Sequence, residues 1–243
     1  MEKSLYKTYE EVESTHWWFC GRRKIILDIF DRYSVSKKHI KILDFGCNTG
    51  FFVGYLQKDG FDAYGIDMSE DSIEFGMKRG VKNLLVGKTP LPYTNESFDI
   101  ILALDVIEHI EHQDEAIKDL YRLLKPGGKA IIMVPAFMFM WGLQDEVAHH
   151  FRRYTKPTLK DVVLRNGFKI ERISYFNFFM FVPIVMVRLL QRVILPKRSS
   201  DFDINNKFIN YILTKAFVFE SLLLKYINYP FGVSLVATIS KHD

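Results

Sequence analysis

ILDFGCNTG, residues 42–50, sets an apolar run against one acid, Asp44, and then two glycines four apart with Cys47, Asn48 and Thr49 between them. Such a run suits a strand buried on both faces. The glycine-rich turn after it leads into a helix and brings backbone close to a ligand, because glycine has no Cβ to hold one away. The nicotinamide fingerprint G-x-G-x-x-G is not met, since Gly46 is followed by Cys47 and Asn48. Taken alone, Gly46 and Gly50 also suit a bare strand-to-helix turn. Asp67 alters the balance: it ends the next strand candidate about 20 residues on, where an acid in a doubly wound fold accepts hydrogen bonds from ribose hydroxyls. Together these signals point to a nucleoside ligand.

Outward from this stretch, apolar runs of strand length alternate with helix-period segments from about residue 40 to 175, as βα units around a parallel sheet do. The expected strands are 41–45, 63–67, 83–87, 98–104, 129–135, 168–176 and 234–240. Helices are expected over 51–59, 69–78 and 105–124, the last ended by Lys125-Pro126-Gly127-Gly128, where proline cannot continue it. A further helix is expected over 5–32.

At 243 residues the chain suits one core carrying an insertion. A net charge of +4 is too small to argue for nucleic acid, so no nucleic-acid partner is expected; it is compatible with an anionic membrane surface or substrate. Cys20 and Cys47 have no metal-ligand spacing and are too few for a disulfide framework, which favours a reducing compartment. The N-terminal MEKSLYKTYEEVES lacks the apolar segment of a secretory signal, so a cytoplasmic location is expected, and Asn95-Glu96-Ser97 is then an accidental sequon.

These residues resemble the class I S-adenosylmethionine-dependent methyltransferases over roughly residues 40–175. ILDFGCNTG is similar to the family's first motif, with Asp44, Phe45, Gly46, Cys47, Asn48 and Gly50 at the methionine end of the cofactor. Asn48 departs from it, because that position is usually glycine. YGIDMS is similar to the second motif, which implies Asp67 on the ribose and Met68 beside the adenine. LPYTNESFDIILALDVIEHI, followed by LLKPGG, resembles the fourth-strand region, which adds Leu104 and Asp105 to the cofactor side. VGKTPLP departs again, carrying Lys88 where an acid often meets the adenine amino group, which leaves the backbone of Lys88 and Thr89 as the expected contacts. The resemblance implies a Rossmann-like seven-stranded sheet with its last strand antiparallel, and S-adenosylmethionine as cofactor. A nicotinamide-dependent oxidoreductase is the rival that the missing third glycine and LLKPGG oppose.

Methyl transfer from a sulfonium needs chiefly that nucleophile and methyl be held in line, where orientation supplies on the order of 7 to 11 kcal/mol. Catalytic groups are sought in LDVIEHI. Asp105 and Glu108 there suit either a capped helix start or, with His109, a catalytic cluster. His109 suits proton exchange with an acceptor hydroxyl. The resemblance to quinone-pathway O-methyltransferases implies a variant in which Asp105, Glu108 and His109 hold a divalent ion. In HHFRRYT, His150 with Arg152 and Arg153 forms either a clamp for an anionic substrate or a solvated basic turn. In HWWFCGRR, Trp17 and Trp18 are either a lid over the cofactor or packing for a helix, and Arg22 or Arg23 is placed to meet the cofactor carboxylate.

About fifty residues separate the sixth and seventh strand candidates, and that length needs a reason. FFMFVPIVMV (178–187) is too short for a span and contains Pro183. Beyond it Arg188, Gln191 and Arg192 line one stripe of an apolar helix, with Lys197 and Arg198 close by. A second helix places Asn210, Thr214, Ser221, Lys225 and Asn228 on one face and Phe, Leu and Ile on the rest. The apolar surface is expected either to pack over the sheet or another subunit, making a homodimer, or to sit peripherally on the inner face of the membrane. The expected organisation is a helical cap (1–40), a cofactor-binding domain (41–177 with 230–243) and a helical insert (178–229). The expected activity is O-methylation of a small apolar or lipid-linked acceptor; the alternative is an inactive cofactor-binding membrane or assembly partner.

Overall fold

The computed structural model describes residues 12–35, 37, 39–193 and 207–242. The apolar runs form one seven-stranded sheet in the order β3-β2-β1-β4-β5-β7-β6, with β1 Lys41–Phe45, β2 Asp62–Asp67, β3 Leu84–Val86, β4 Phe98–Leu104, β5 Leu124–Pro135, β6 Lys169–Phe176 and β7 Ser234–Ser240. All neighbours pair in parallel except β7, which runs antiparallel to β5 and β6. The expected Rossmann-like fold is thus present, and the expected strands match within a few residues. Ile42, Leu43, Ile101, Leu102 and Ala103 have no exposure, so truncating Leu43 to Ala would cost about 2–5 kcal/mol.

Chain order reverses between β1 and β4. In open α/β sheets a ligand binds beyond the carboxyl ends of the strands at such a switch point. The loop after β1 and Asp105 after β4 both lie there, since β1 and β4 pair Phe45 with Ala103. The flanking helices are α1 Trp17–Arg32, α2 Phe51–Lys58, α3 Glu70–Lys78, α4 Gln113–Leu123, α5 Leu143–Val147 and α6 Lys156–Arg165. Two more, α7 Phe181–Val193 and α8 Lys207–Leu224, lie between β6 and β7.

Two expectations about helices are corrected. The helix expected over 105–124 is a short 3-10 turn at Ile107–His109 followed by α4. Asp105 does not cap it: its φ is +57° and its N–H donates to the Met133 carbonyl at 2.9 Å. Nor does Glu108 cap, because both its carboxylate oxygens lack a hydrogen-bond partner. The N-terminal helix is broken before Trp17, where the His16 side chain accepts from the Trp18 N–H; residues 5–11 of that expectation lie outside the described residues.

Helix α8 turns its polar line inward and much of its apolar line outward. Asn210, Ser221 and Glu220 are buried, whereas Tyr211, Ile212, Phe219 and Leu222 are exposed, Tyr211 by 61% and Phe219 by 55%. The polar line faces inward because α1 supplies it with partners. Asn210 Oδ1 accepts from the Trp17 N–H at 2.7 Å, and its Nδ2 donates to the Thr15 carbonyl at 2.8 Å. Phe217 packs between Trp17 and Trp18 over Gly21, where a Cβ would overlap its ring. In α7, Arg188 lies buried against Gly142 while Val182, Met186, Val187, Leu189 and Leu190 are exposed. Lys197 and Arg198, with the turn at 196–206, lie outside the described residues. Among the described residues no helix is long and apolar enough to cross a membrane.

Candidate active site

The loop after β1 is held by its own amides. Gly46 and Cys47 donate to the Ile66 carbonyl at 2.8 and 3.1 Å, Asn48 to Asp67 Oδ2 at 2.9 Å, and Gly50 to the Cys47 carbonyl at 2.9 Å. These donors were expected to face a ligand; they set the loop's shape instead. Gly46 and Gly50 have φ of +74° and +68°, and a Cβ on Gly50 would come 2.9 Å from Leu84 Cδ1. Asn48, at φ +50°, takes the left-handed conformation that asparagine tolerates better than most residues, which accounts for its standing where glycine is usual. Phe45 and Cys47 are buried, so their side chains belong to the core.

Asp67 is oriented from both sides, its Oδ1 accepting from the Ser69 N–H at 2.9 Å and its Oδ2 from Asn48. A carboxylate offers about four lone-pair sites, so both oxygens keep capacity for ribose hydroxyls. Burial raises its pKa, and the amides of Ser69 and Asn48 oppose that. Met68 is 77% exposed beside it, as a residue laid along an adenine would be. Lys88 and Thr89 follow β3 in a turn tied to Asp67, whose carbonyl accepts from the Gly87 N–H at 2.9 Å; the Lys88 side chain is exposed. Asp44 is buried, and burial together with Asp67 pushes its pKa to about 7 against the pull of Arg22.

Arg22, expected to meet the cofactor carboxylate, pairs through Nη1 with Asp105 Oδ2 at 2.5 Å. Arg23 turns instead toward the rings of Phe51 and Tyr55. Trp17 and Trp18 pack on Phe217, and Trp18 also stacks on Phe176, which answers the choice between lid and packing in favour of packing.

Beyond Asp105 the side chains of Glu108, His109 and His150 converge, each offering an atom within 4.8 Å of the others. His109 and His150 meet edge to face with centroids 4.4 Å apart. His109 Nδ1 lies 2.8 Å from the Ala148 carbonyl, which can only accept, so the proton is assigned to Nδ1 and Nε2 carries the lone pair. Burial, with His150 adding to it, lowers the His109 pKa to about 4, so its ring is neutral near pH 7. Glu108 has no exposure and no hydrogen-bond partner at either oxygen, and burial raises its pKa well above the ordinary carboxylate range.

His150 Nδ1 is held at 2.9 Å by Asp145 Oδ1. Asp145 also accepts from Arg153 Nε at 2.7 Å and Nη2 at 3.0 Å and from the Gly142 N–H at 2.8 Å. Burial alone would raise its pKa, but His150 and Arg153 outweigh that and bring it to about 2. Arg153 thus belongs to a buried ion pair, while Arg152 donates to the Glu111 carbonyl at 2.7 Å; the stretch is neither a solvated turn nor an open anion clamp. Asp145 escaped the reading of the sequence. It precedes His150 by five positions, across the end of α5, and no periodicity marks that pairing.

The donor set of Glu108, His109 and His150, one carboxylate and two imidazoles, suits a divalent cation. Asp105, implied as a ligand beside Glu108 and His109, is turned to Arg22, and His150 stands in the trio in its place.

A family model described as a methyltransferase domain matches residues 18–173. The ubiquinone biosynthesis O-methyltransferase of Rickettsia canadensis (strain McKiel) is 28% identical over 62% of this chain and 71% of its own length. Methyltransferase GfsG of Streptomyces halstedii is 31% identical over 49% of this chain and 45% of its own. Among solved structures, a chain from the complex of the Haloferax volcanii Trm112 methyltransferase activator with a methyltransferase superposes with a TM-score of 0.64 at 12% identity, covering 99% of this chain and 95% of that one. Phosphoethanolamine N-methyltransferase 2 of Haemonchus contortus, in complex with S-adenosyl-L-methionine, gives 0.59 at 18% identity over 89% of this chain and 52% of that one. At such identities the structures speak for the fold alone. The family match spans more than half of the chain, which belongs to the S-adenosylmethionine-dependent methyltransferases.

Proposed function

We propose that this S-adenosylmethionine-dependent methyltransferase methylates an oxygen of a small apolar or lipid-linked acceptor, with His150 as the base that takes the acceptor's proton. The observation that carries the proposal is the Asp145–His150 hydrogen bond at 2.9 Å beside the neutral ring of His109. A buried carboxylate on Nδ1 fixes the tautomer, frees Nε2 for the hydroxyl and stabilises the imidazolium that forms. His109 and Glu108 shape the pocket in which that proton moves. The cofactor roles in this reading are Asp67 for the ribose, Met68 for the adenine, the turn at Lys88 and Thr89 for the adenine edge, and the Asp44 to Gly50 loop with Leu104, Asp105 and Arg22 for the methionine end. The test is transfer of labelled methyl to phenols and catechols with and without isoprenoid tails. His150→Ala should lose about 100-fold in turnover with S-adenosylhomocysteine affinity unchanged, and transfer at the parent rate would remove His150 from the chemistry.

A second arrangement rests on the partnerless Glu108 oxygens. With His109 and His150 they would hold a divalent cation, which supplies Lewis-acid polarisation of the hydroxyl when bound. Turnover unaffected by a chelator excludes it. The lipid-linked class is favoured by the apolar outer faces of α7 and α8, which suit peripheral seating on a membrane. Flotation with vesicles of anionic phospholipid should be lost when Phe219 and Leu222 become Ser, and a parent protein that never floats sinks the membrane assignment.

A further inference from the structure

Residues 13–23 cross the cofactor loop and are fastened at both ends. On one side Glu13, buried, accepts from the hydroxyl of Thr49 at 2.6 and 2.9 Å and pairs with Arg79 after α3, so it grips the loop between Gly46 and Gly50 from outside. Arg22 reaches Asp105 at the end of β4, and the Arg23 guanidinium lies 5.5 and 5.2 Å from the ring centroids of Phe51 and Tyr55 in α2. On the other side the same segment hangs on α8: Asn210 bonds both the Thr15 carbonyl and the Trp17 N–H, and Phe217 fills the space over Gly21. Asn210 is 9% exposed and uses its amide in both senses, as acceptor and donor, on backbone groups 195 and 193 residues away. Two such bonds fix the direction of a backbone segment, not only its distance.

We propose that α8 is a positioning element for the cofactor: through Asn210 and Phe217 it holds residues 13–23 across the loop and thereby sets how tightly the cofactor is retained. No side chain of α8 needs to touch the cofactor for this. Glu13 and Asn210 fasten one strap from opposite sides, so loosening either lets the Thr49 loop and Arg22 shift together. The inference rests on the assignment of the loop to the cofactor, and not on the identity of the acceptor.

The test is titration of the full-length protein with S-adenosylhomocysteine by calorimetry, with the dissociation rate by stopped flow and folding followed by circular dichroism. Asn210→Ala should weaken binding about tenfold, mostly through faster release, while the protein stays folded. Asn210→Asp keeps the acceptor for the Trp17 N–H and should recover part of the affinity. Glu13→Gln should weaken binding by a similar factor, and the double variant Glu13→Gln with Asn210→Ala should be little worse than either alone, because both act through one segment. Phe219→Ser, on the outer face of the same helix, should bind as the parent does in the absence of lipid. Additive losses in the double variant, or parent-like affinity in a folded Asn210→Ala or Asn210→Asp, overturn the proposal. If the parent itself fails to bind S-adenosylhomocysteine, the cofactor assignment falls instead.

Discussion

Asp67, at the end of β2, and Glu108, just past β4, are acids on either side of β1 in opposite surroundings. Asp67 is satisfied: two amides hold its oxygens, its own carbonyl anchors the turn after β3, and the loop beside it spends its N–H groups on internal bonds. Glu108, just past β4, is sealed from solvent with neither oxygen bonded. Leaving a buried polar group unmade costs about 1–3 kcal/mol, so that arrangement persists where the surroundings compel it or where a proton or cation completes it. In the proposed assignment the cofactor side is thus finished in advance by backbone, and the acceptor side is kept incomplete by side chains.

The difference is open to attack from several directions. The largest expected effect is on stability against pH. Burial lifts the folded pKa of Asp44 to about 7 from the ordinary 3.8, so the unfolded chain releases that proton first and stability falls as pH rises from about 4 to about 7. The loss is on the order of 4 kcal/mol. His109 works the other way, since its pKa near 4 lies below 6.5 and stability falls as pH drops through that window. Urea unfolding of the parent and of Asp44→Asn across this range isolates the Asp44 contribution in their difference, and parallel curves would contradict it.

Next comes the backbone of the loop. Gly46→Ala forces a Cβ into Val106 at φ +74° and should reduce S-adenosylhomocysteine affinity at least about 100-fold. Parent-like affinity in calorimetry would show that the loop is not built in advance. Glu108→Gln attacks the other side. Turnover should fall about 30-fold, cofactor affinity should stay put, and the melting temperature should not drop, because burial already favours the neutral form of Glu108 and an amide is neutral too. If affinity falls and turnover per bound cofactor does not, the two halves are not separate. The smallest effect belongs to Met68→Ala, about fivefold in cofactor affinity from lost apolar contact with the adenine.

Legibility in the sequence followed the same division. The strand candidates, the Gly46–Gly50 turn and Asp67 were readable because each depends on a short stretch: apolar runs suited to a buried sheet, and glycine where φ must be positive. Over 105–124 Asp105 and Glu108 mimic a capping box in the sequence, whereas the fold buries Ile107 and Glu108 in a 3-10 turn and holds Asp105 at positive φ. The local sequence around Arg22 offers no carboxylate partner; Asp105, 83 positions away, supplies it in this structure.

Helix α8 marks the limit of what periodicity can say. Its polar line and its apolar line were both readable, but which one faces inward was not, since that depends on Thr15 and Trp17 offering backbone groups to Asn210. By itself the sequence determined the fold class, the switch point and the glycine-rich turn after β1, because local backbone preference and burial pattern specify those within a few dozen residues. Only the tertiary structure decided that His150 is paired with Asp145, that Glu108 is sealed without a partner and that α8 turns its apolar face outward. Each of these follows from which distant segments meet, and a buried polar group takes its chemistry from the neighbours that folding brings to it.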